Sequence, residues 1–421
     1  MKSVFSLFII LLSSNIYGQW FELPSPTSSD LQSVFFTDSL KGFIVGNNGT
    51  ALRTSNGGET WENMIIPLDS SEREKSDFIK IKFISELDGI FMGYSNNYNF
   101  LFKTLDGGIN WELTYLPEDF ELSDFDYVNE DGIWLVARTY DLGMQIYFSS
   151  NGGSDWNIQP KPTESPILRI DFLDSLYGVC VGTTTILLTD DFGNSWSEIE
   201  DGANMQFNDV VYQSSNLIYS VVINRDNYKS HFYKSIDGGY LWELSNQRFS
   251  NLKTIFPVND STIFIGGYGD GIFASDDFGE TWRKQNLVNN QEGFGNINSI
   301  NTTYSVGYAV GESGRIYKTN DTSITSIHND VSDNEDFRLF HNYPNPFNAN
   351  TKIRFILPLQ GKVELTVYNS LGEILITLLN DIKSQGSYEI DFDGSNLSSG
   401  IYYYSLKVGN SVKVKKMLLL K

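Results

Sequence analysis

The sequence predicts an all-β chain: a seven-bladed β-propeller closed by its own N-terminal strand, then a small C-terminal β-sandwich. Three observations predict this. A short motif ending in Trp recurs at intervals of roughly 40–50 residues, the period of propeller blades. Three runs of strand-like alternation precede each copy. A polar, acidic stretch without period, DTSITSIHNDVSDNED, then separates these repeats from a second group of strands.

The motif reads TSNGGETW ending at Trp61, TLDGGINW at Trp111, SSNGGSDW at Trp156, TDDFGNSW at Trp196, SIDGGYLW at Trp242 and SDDFGETW at Trp282. Its Asn or Asp (Asn56, Asp106, Asn151, Asp191, Asp237, Asp277) can accept hydrogen bonds from backbone amides ahead of it and close a turn. Its glycine two residues after the Asn or Asp (Gly58, Gly108, Gly153, Gly193, Gly239, Gly279) can take positive φ, and its Trp supplies the returning strand with a large apolar body. The motif therefore reads as a hairpin lock. Upstream come an alternating run such as SVFFTD or LRIDFL, an apolar run such as GFIVG or YGVCVG, and a third run leading into the motif. With the strand after Trp, each repeat supplies four strands, or one blade.

The ends decide the blade number. A seventh copy, from about Ile297 through VGYAVGESGRIYKTND, has three strands but no Trp. Trp20 stands alone in QWFELPSP, a segment like the post-Trp strands WENMIIP and WELTYLP. The N-terminal strand is thus expected to complete the last blade and close the ring, which removes free sheet edges.

Residues 1–18 read as a secretory signal peptide: Lys2, the apolar run VFSLFIILL and a small-residue exit cleaved after Gly18. The apolar run is too short to span a bilayer, and the mature chain is expected to hold no transmembrane segment. Cys180 is the only cysteine, so no internal disulfide and no lipoprotein anchor are expected. The net charge is −22. From Leu339 onward there are 9 Lys/Arg against 6 Asp/Glu, leaving 21 against 46 before it, so the acidity belongs to the part of the chain before Leu339, where residues 19–322 are expected to form the propeller. Nucleic-acid binding, which depends on excess basic charge, is not expected.

The linker is placed at 323–338 and the last domain at 339–421. That domain opens NYPNPFN, continues in alternating strands such as KIRFILP, VELTVYN and GIYYYSL, and is punctuated by glycines, which argues a small β-sandwich.

On these residues the repeats resemble the Asp boxes of the bacterial neuraminidase repeat. The stretch GNNGTALRTSNGGETW, from Gly46 to Trp61, resembles the propellers of photosystem II stability and assembly factors. Residues 339–421 resemble the type A sorting domain of type IX secretion cargo, through Tyr343, Pro344, Asn345, Pro346 and Phe347, then Gly372, Gly400, Tyr402 and Lys416; Ala349 stands where many members have Pro. This resemblance implies Sec export followed by recognition of residues 339–421 by the outer-membrane translocon, with an extracellular or outer cell-surface destination.

Asp boxes are common in sialidases, which need three converging arginines, a Tyr/Glu nucleophile pair and an acid/base Asp. Here no Arg precedes Arg53, and none of Arg73, Arg138, Arg169, Arg225, Arg248, Arg283 or Arg315 lies in an Arg-Ile-Pro segment. Xyloglucan hydrolases of the Asp-box class pair two propellers, and this chain has one. Asp190 with Asp191 and Asp276 with Asp277 read as turn residues rather than acid/base pairs. His231, His328 and His341 are too scattered for a metal cluster, and Cys180 reads as a small buried apolar residue. No catalytic residue, metal or cofactor is expected. The expected role is a secreted, non-catalytic binding module for an extracellular protein or glycan; the alternative is an extracellular sialidase-like or xyloglucanase-like hydrolase. The candidate binding face is formed by the loops between the second and third strands, which carry Tyr94 and Tyr98, Tyr140, Tyr228 and Tyr268. Tyrosines with Asn and Arg can stack on sugars or anchor a protein segment; equally, they read as ordinary solvent-edge aromatics.

Overall fold

The computed structural model describes residues 19–320 and 337–421, apart from 130–131, 200–203, 260, 270, 289–292, 304–305, 340–341, 343–346, 358–360, 370–372, 385, 410 and 420. The signal peptide, most of the linker, and Tyr343, Pro344, Asn345, Pro346 and Gly372 of the sorting motif lie outside the described residues. The chain divides into two compact units, residues 1–326 and 327–421.

In the first unit the described strands form seven sheets, six of them wholly antiparallel and the seventh antiparallel but for one added strand. Sheets 1 to 6 span residues 31–63, 77–116, 121–158, 167–198, 205–244 and 252–284, and each pairs its four strands in sequence. The second strands are the most buried, as in GFIVG (Gly42–Gly46) and GVCVG (Gly178–Gly182), because both faces pack on neighbouring sheets. The fourth strands are short: Glu62–Asn63, Asn157–Ile158 and Ser197–Glu198 are each two residues.

Sheet 7 contains Ile297–Thr303, Val306–Gly311 and Ile316–Thr319, and its next strand is Gln19–Leu23 from the N-terminus, with Trp20 opposite Thr319 and Leu23 opposite Ile316. Asn286–Leu287 adds a fifth strand, parallel to Gln19–Leu23, which periodicity did not foretell. Trp20 is fully buried and meets Phe264 of sheet 6 edge-on, at 5.8 Å.

Polar side chains on the first strand of each sheet bond the first strand of the next. Ser33 Oγ accepts the Ile81 N–H at 3.2 Å, and Lys80 Nζ donates to Asp124 at 2.7 Å. Asp124 and Asp126 accept the N–H groups of Ile170 (3.1 Å) and Phe172 (2.8 Å); Asp171 accepts that of Tyr212 (2.8 Å), and Asp209 that of Ile255 (3.0 Å). Lys253 Nζ donates to Asn298 Oδ1 at 2.8 Å, and Asn301 Oδ1 of sheet 7 accepts the Phe36 N–H of sheet 1 at 3.0 Å. These carboxylates and amides satisfy strand donors that would otherwise be buried unpaired.

The second unit is two facing sheets, one with three strands and one with four. Its core holds Phe347, Ile353, Phe355, Val363, Leu365, Tyr404 and Leu406. Phe347 is anchored further by its N–H, which donates to the Leu418 carbonyl at 2.9 Å. Gly400 begins the strand Gly400–Val408; Tyr402 on that strand donates its hydroxyl to the Ser398 carbonyl at 2.8 Å, and Lys416 pairs with Tyr403 across the sheet.

Candidate binding face

Strand connections alternate between the two ends of each sheet. One end carries the turns between third and fourth strands, where the Trp-ended motifs sit; the other carries the loops between second and third strands, together with the links from one sheet to the next.

At the motif end, the same bonds recur in all six copies. The buried hydroxyl two residues before the Asn or Asp is the hub. Thr189 Oγ1 donates to Asp191 at 2.9 Å and accepts the Gly193 N–H at 2.8 Å, while Asp191 accepts the Ser195 N–H at 2.9 Å. Thr54, Thr104, Ser149, Ser235 and Ser275 serve the other copies in the same way, accepting the N–H of Gly58, Gly108, Gly153, Gly239 and Gly279. The sequence signal for this hub was the hydroxyl residue that opens every copy. Bonds from Ser195, through hydroxyl and then N–H, hold the Asp191 carboxyl below its ordinary range, and the Asn110 N–H does the same for Asp106.

The motif glycine also packs against the preceding sheet. A Cβ on Gly193 would stand 2.2 Å from the Trp134 ring, and one on Gly108 would stand 2.4 Å from Phe43. Both have positive φ, +68° and +79°. Three Trp residues pack across the same boundary: Trp111 meets Phe43 of the preceding sheet as well as Phe83 of its own, Trp196 meets Trp134 of the preceding sheet as well as Phe172 of its own, and Trp282 meets Phe232 of the preceding sheet. Trp156 and Trp242 are half-buried and donate their indole N–H to the carbonyls of Gly153 and Gly239 (3.1 and 2.7 Å), and Trp61 meets Phe36 edge-on. All six motifs are therefore structural.

The first strands carry the most perturbed carboxyls. Burial, reinforced by Asp126, pushes Asp171 up to about 7; burial, with a smaller push from Asp124, raises Asp209 to about 6 against the pull of the Ile255 N–H and Arg169. Burial disfavours the charge of Lys80 and Lys82, but Asp124 and Asp126 outweigh it at Lys80, and Asp126 and Asp171 at Lys82, holding both ammonium groups above their ordinary range. Lys82 is bonded to Asp126. Each of these carboxylates also accepts a strand N–H, so the cluster ties sheets together.

At the loop end, the tyrosines do not form one cluster. Tyr140 is 98% exposed and Tyr228 is 79% exposed, the latter at a φ of 57°. Tyr268 is half-buried, with Lys253 over its ring and bonded to its hydroxyl at 3.1 Å, so it belongs to the inter-sheet bonding rather than to open surface. Tyr98 does line a cavity, of about 340 Å³, with Tyr94, Asn97, Glu118 and Phe120. A second cavity of about 520 Å³, lined by Arg138, Met144, Glu164, Pro166 and Leu168, shares Glu121 and Leu122 with the first. The two make one open trough from sheet 2 to sheet 4. Sequence reasoning missed Glu118, Glu121 and Glu164, because they lie on the links between sheets or at the first residue of the strand that follows rather than on the repeated loops.

Among the described residues, no group of three or more His, Cys, Asp or Glu is placed to hold a metal ion, and no helix is long and apolar enough to cross a membrane. Cys180 is buried, and burial pushes its thiol well up.

The fold defines the class: an all-β chain with the architecture of β-propellers in its first unit and a small sandwich as its second. Residues 12–159 match the family described as photosynthesis system II assembly factor YCF48, and residues 341–420 match the secretion system C-terminal sorting domain. Among curated proteins, the chloroplastic photosystem II stability/assembly factor HCF136 of Oryza sativa subsp. japonica is 28% identical over 148 residues, 35% of this chain and 34% of that protein. The match thus spans about a third of the length of that relative. Among solved structures, YCF48 bound to D1 peptide superimposes with a TM-score of 0.57 at 18% identity, covering 72% of this chain and 97% of that one. The GH74 enzyme of Niastella koreensis gives 0.57 at 12% identity, covering 94% and 73%. At these identities the likeness shows the β-propeller fold. The sorting domain indicates handling by the type IX secretion system and an extracellular or cell-surface destination.

Proposed function

We propose that this chain is a non-catalytic binding propeller, exported through a cleaved N-terminal signal and the C-terminal sorting domain, that captures a protein or glycan outside the cell. The observation that carries the reading is the trough at the loop end, where Tyr98, Leu122 and Met144 lie beside exposed carboxylates and Arg138. Apolar surface among a few polar groups suits recognition. The carboxylates are solvated, and Glu121 faces Arg138 at 3.7 Å, an environment unlike the apolar pocket that tunes a general acid. A propeller of the same fold whose structure is described as bound to a peptide supports binding as a use of this scaffold.

The same reading takes the seven sheets as the blades of one ring, closed by Gln19–Leu23 and Trp20. It is supported by the bonds from sheet 7 to sheet 1 and by Tyr308 of sheet 7, whose ring stacks on Phe36 at 3.5 Å. A chain beginning at Pro24 is expected to lose cooperative unfolding; an unchanged transition would argue for an open array.

One observation favours the alternative hydrolase: Asp171 and Asp209 have the elevated pKa of a general acid. Against it, both are half-buried between sheets and already accept strand N–H groups. Screening the mature chain against sialosides and xyloglucan separates the readings. Turnover abolished by Asp171→Asn would replace the binding proposal, whereas retention of glycan or protein ligands without turnover supports it.

A further inference from the structure

We infer that the trough across sheets 2 to 4 receives an extended protein segment bearing basic side chains. This rests on the binding-module reading and specifies the partner.

Three features carry it. First, its two cavities adjoin: both are lined by Glu121 and Leu122, so together their linings run from sheet 2 across sheet 3 to sheet 4, the span of an extended segment. Second, its carboxylates outnumber its cations. Glu118, Glu121 and Glu164 are exposed along it; Arg138, the one basic side chain among the described lining residues, faces Glu121 at 3.7 Å, and Lys161 behind the lining stands 3.9 Å from Glu164. The excess acidity before Leu339 adds a long-range field of the same sign, which attracts cationic partners and repels acidic ones. Third, the lining pairs this charge with apolar surface. Leu122, Met144, Pro166 and Leu168 offer a bed for the aliphatic stems of Lys or Arg while their heads reach the carboxylates.

At the sheet 2 end, Tyr98 of the lining stands 5.3 Å from the ring of Tyr115, which lies outside the cavity, at 59°, both exposed. Two tilted rings form a notch rather than a flat platform, a shape that suits a guanidinium or ammonium against a ring face better than a stacked sugar. A neutral glycan would gain nothing from the excess of carboxylates, so the polypeptide is the occupant the trough favours.

The test uses the mature chain, residues 19–421, at near-physiological salt, where charges farther than about 8 Å are screened. The probe is a fluorescein-labelled twelve-residue peptide of alternating Arg and Ala, read by fluorescence anisotropy, beside a Glu/Ala peptide and a xyloglucan oligosaccharide. The double variant Glu121→Lys/Glu164→Lys is expected to weaken Arg/Ala binding about tenfold or more, equivalent to about 1.4 kcal/mol. Glu59→Lys/Glu86→Lys makes the same charge change at exposed sites on the motif end and is expected to weaken it less than about threefold. Tyr98→Ala is expected to fall between them, and circular dichroism checks that all variants fold. Equal losses in the two double variants would overturn the trough as the site. Binding of the glycan or the acidic peptide in place of the basic one would overturn the occupant while leaving the binding module standing. Failure of the chain to retain any ligand in this panel, on a glycan array or from an extracellular protein extract would remove both.

Discussion

The two ends of the sheets solve different problems. At the motif end, six turns repeat one set of bonds, each with a buried hydroxyl, a bonded Asn or Asp and a glycine pressed on the neighbouring sheet. At the loop end the connections vary: Asn47–Gly49 and Glu312–Gly314 are tight turns that share a pair of positive-φ residues and an N–H bonded to an aspartate at the start of the next sheet, whereas Ser95 to Tyr98 is an aromatic turn and Thr139 to Gly143 carries an almost fully exposed tyrosine. Repetition marks what every sheet needs in order to pack on the next, and variation marks surface that folding leaves free for specificity.

The sharpest way to break this contrast is a pair of glycines with the same backbone. Gly193 and Gly143 both have a φ of +68°, but a Cβ on Gly193 meets Trp134 whereas one on Gly143 meets nothing within 4 Å. Gly193→Ala should cost about 3 kcal/mol, from left-handed strain plus overpacking, and Gly143→Ala about 1 kcal/mol from strain alone. Urea unfolding reads the difference; equal losses would show that the motif glycine serves only its turn.

Next in size is the hydroxyl hub. Thr189→Val removes the acceptor of the buried Gly193 N–H and should cost about 2 kcal/mol, while Tyr140→Ala at the loop end should change stability by less than about 0.5 kcal/mol. A comparable loss at Tyr140 would mean that the loop end is also part of the folding apparatus.

The aspartates give a smaller, pH-dependent effect of opposite sign in two places. Asp106 and Asp191, held below the usual range, contribute stability above the ordinary carboxyl pKa that is lost as pH falls through their lowered values. Asp171, raised to about 7, is favoured in its protonated form, so its ionisation withdraws stability as pH climbs from about 4 to 7 and no more beyond. Asp171→Asn should therefore gain in melting temperature relative to the parent across that window and hold a constant difference above it. A pH-independent difference would place the carboxyl in solvent. Smallest of all, Tyr228→Ala should leave both unfolding and pH profile unchanged, its ring being in solvent.

What could be read from the chain alone was local. TDDFGNSW contains the acceptor, the positive-φ glycine and the Trp within eight residues, and a turn is decided by neighbours at that range. The alternation of runs such as LRIDFL likewise declares a strand before any partner is known. The role of Thr189, four residues before Gly193, stayed hidden because a threonine at the end of a strand reads as strand until the turn brings Gly193 back onto it. The links between first strands were less legible still. Lys80 bonds Asp124 across 44 positions and Asp209 bonds Ile255 across 46, about one repeat apart, so only the stacking of sheets makes them neighbours. The trough has the same origin, since its walls come from a loop of one sheet and the links leading into the next two. The sequence by itself determined the repeating unit and its lock, because those bonds close within a single turn. Tertiary structure decided which carboxylates are buried, which tyrosines remain open and where the trough runs, because each depends on residues that meet only when successive sheets pack face to face.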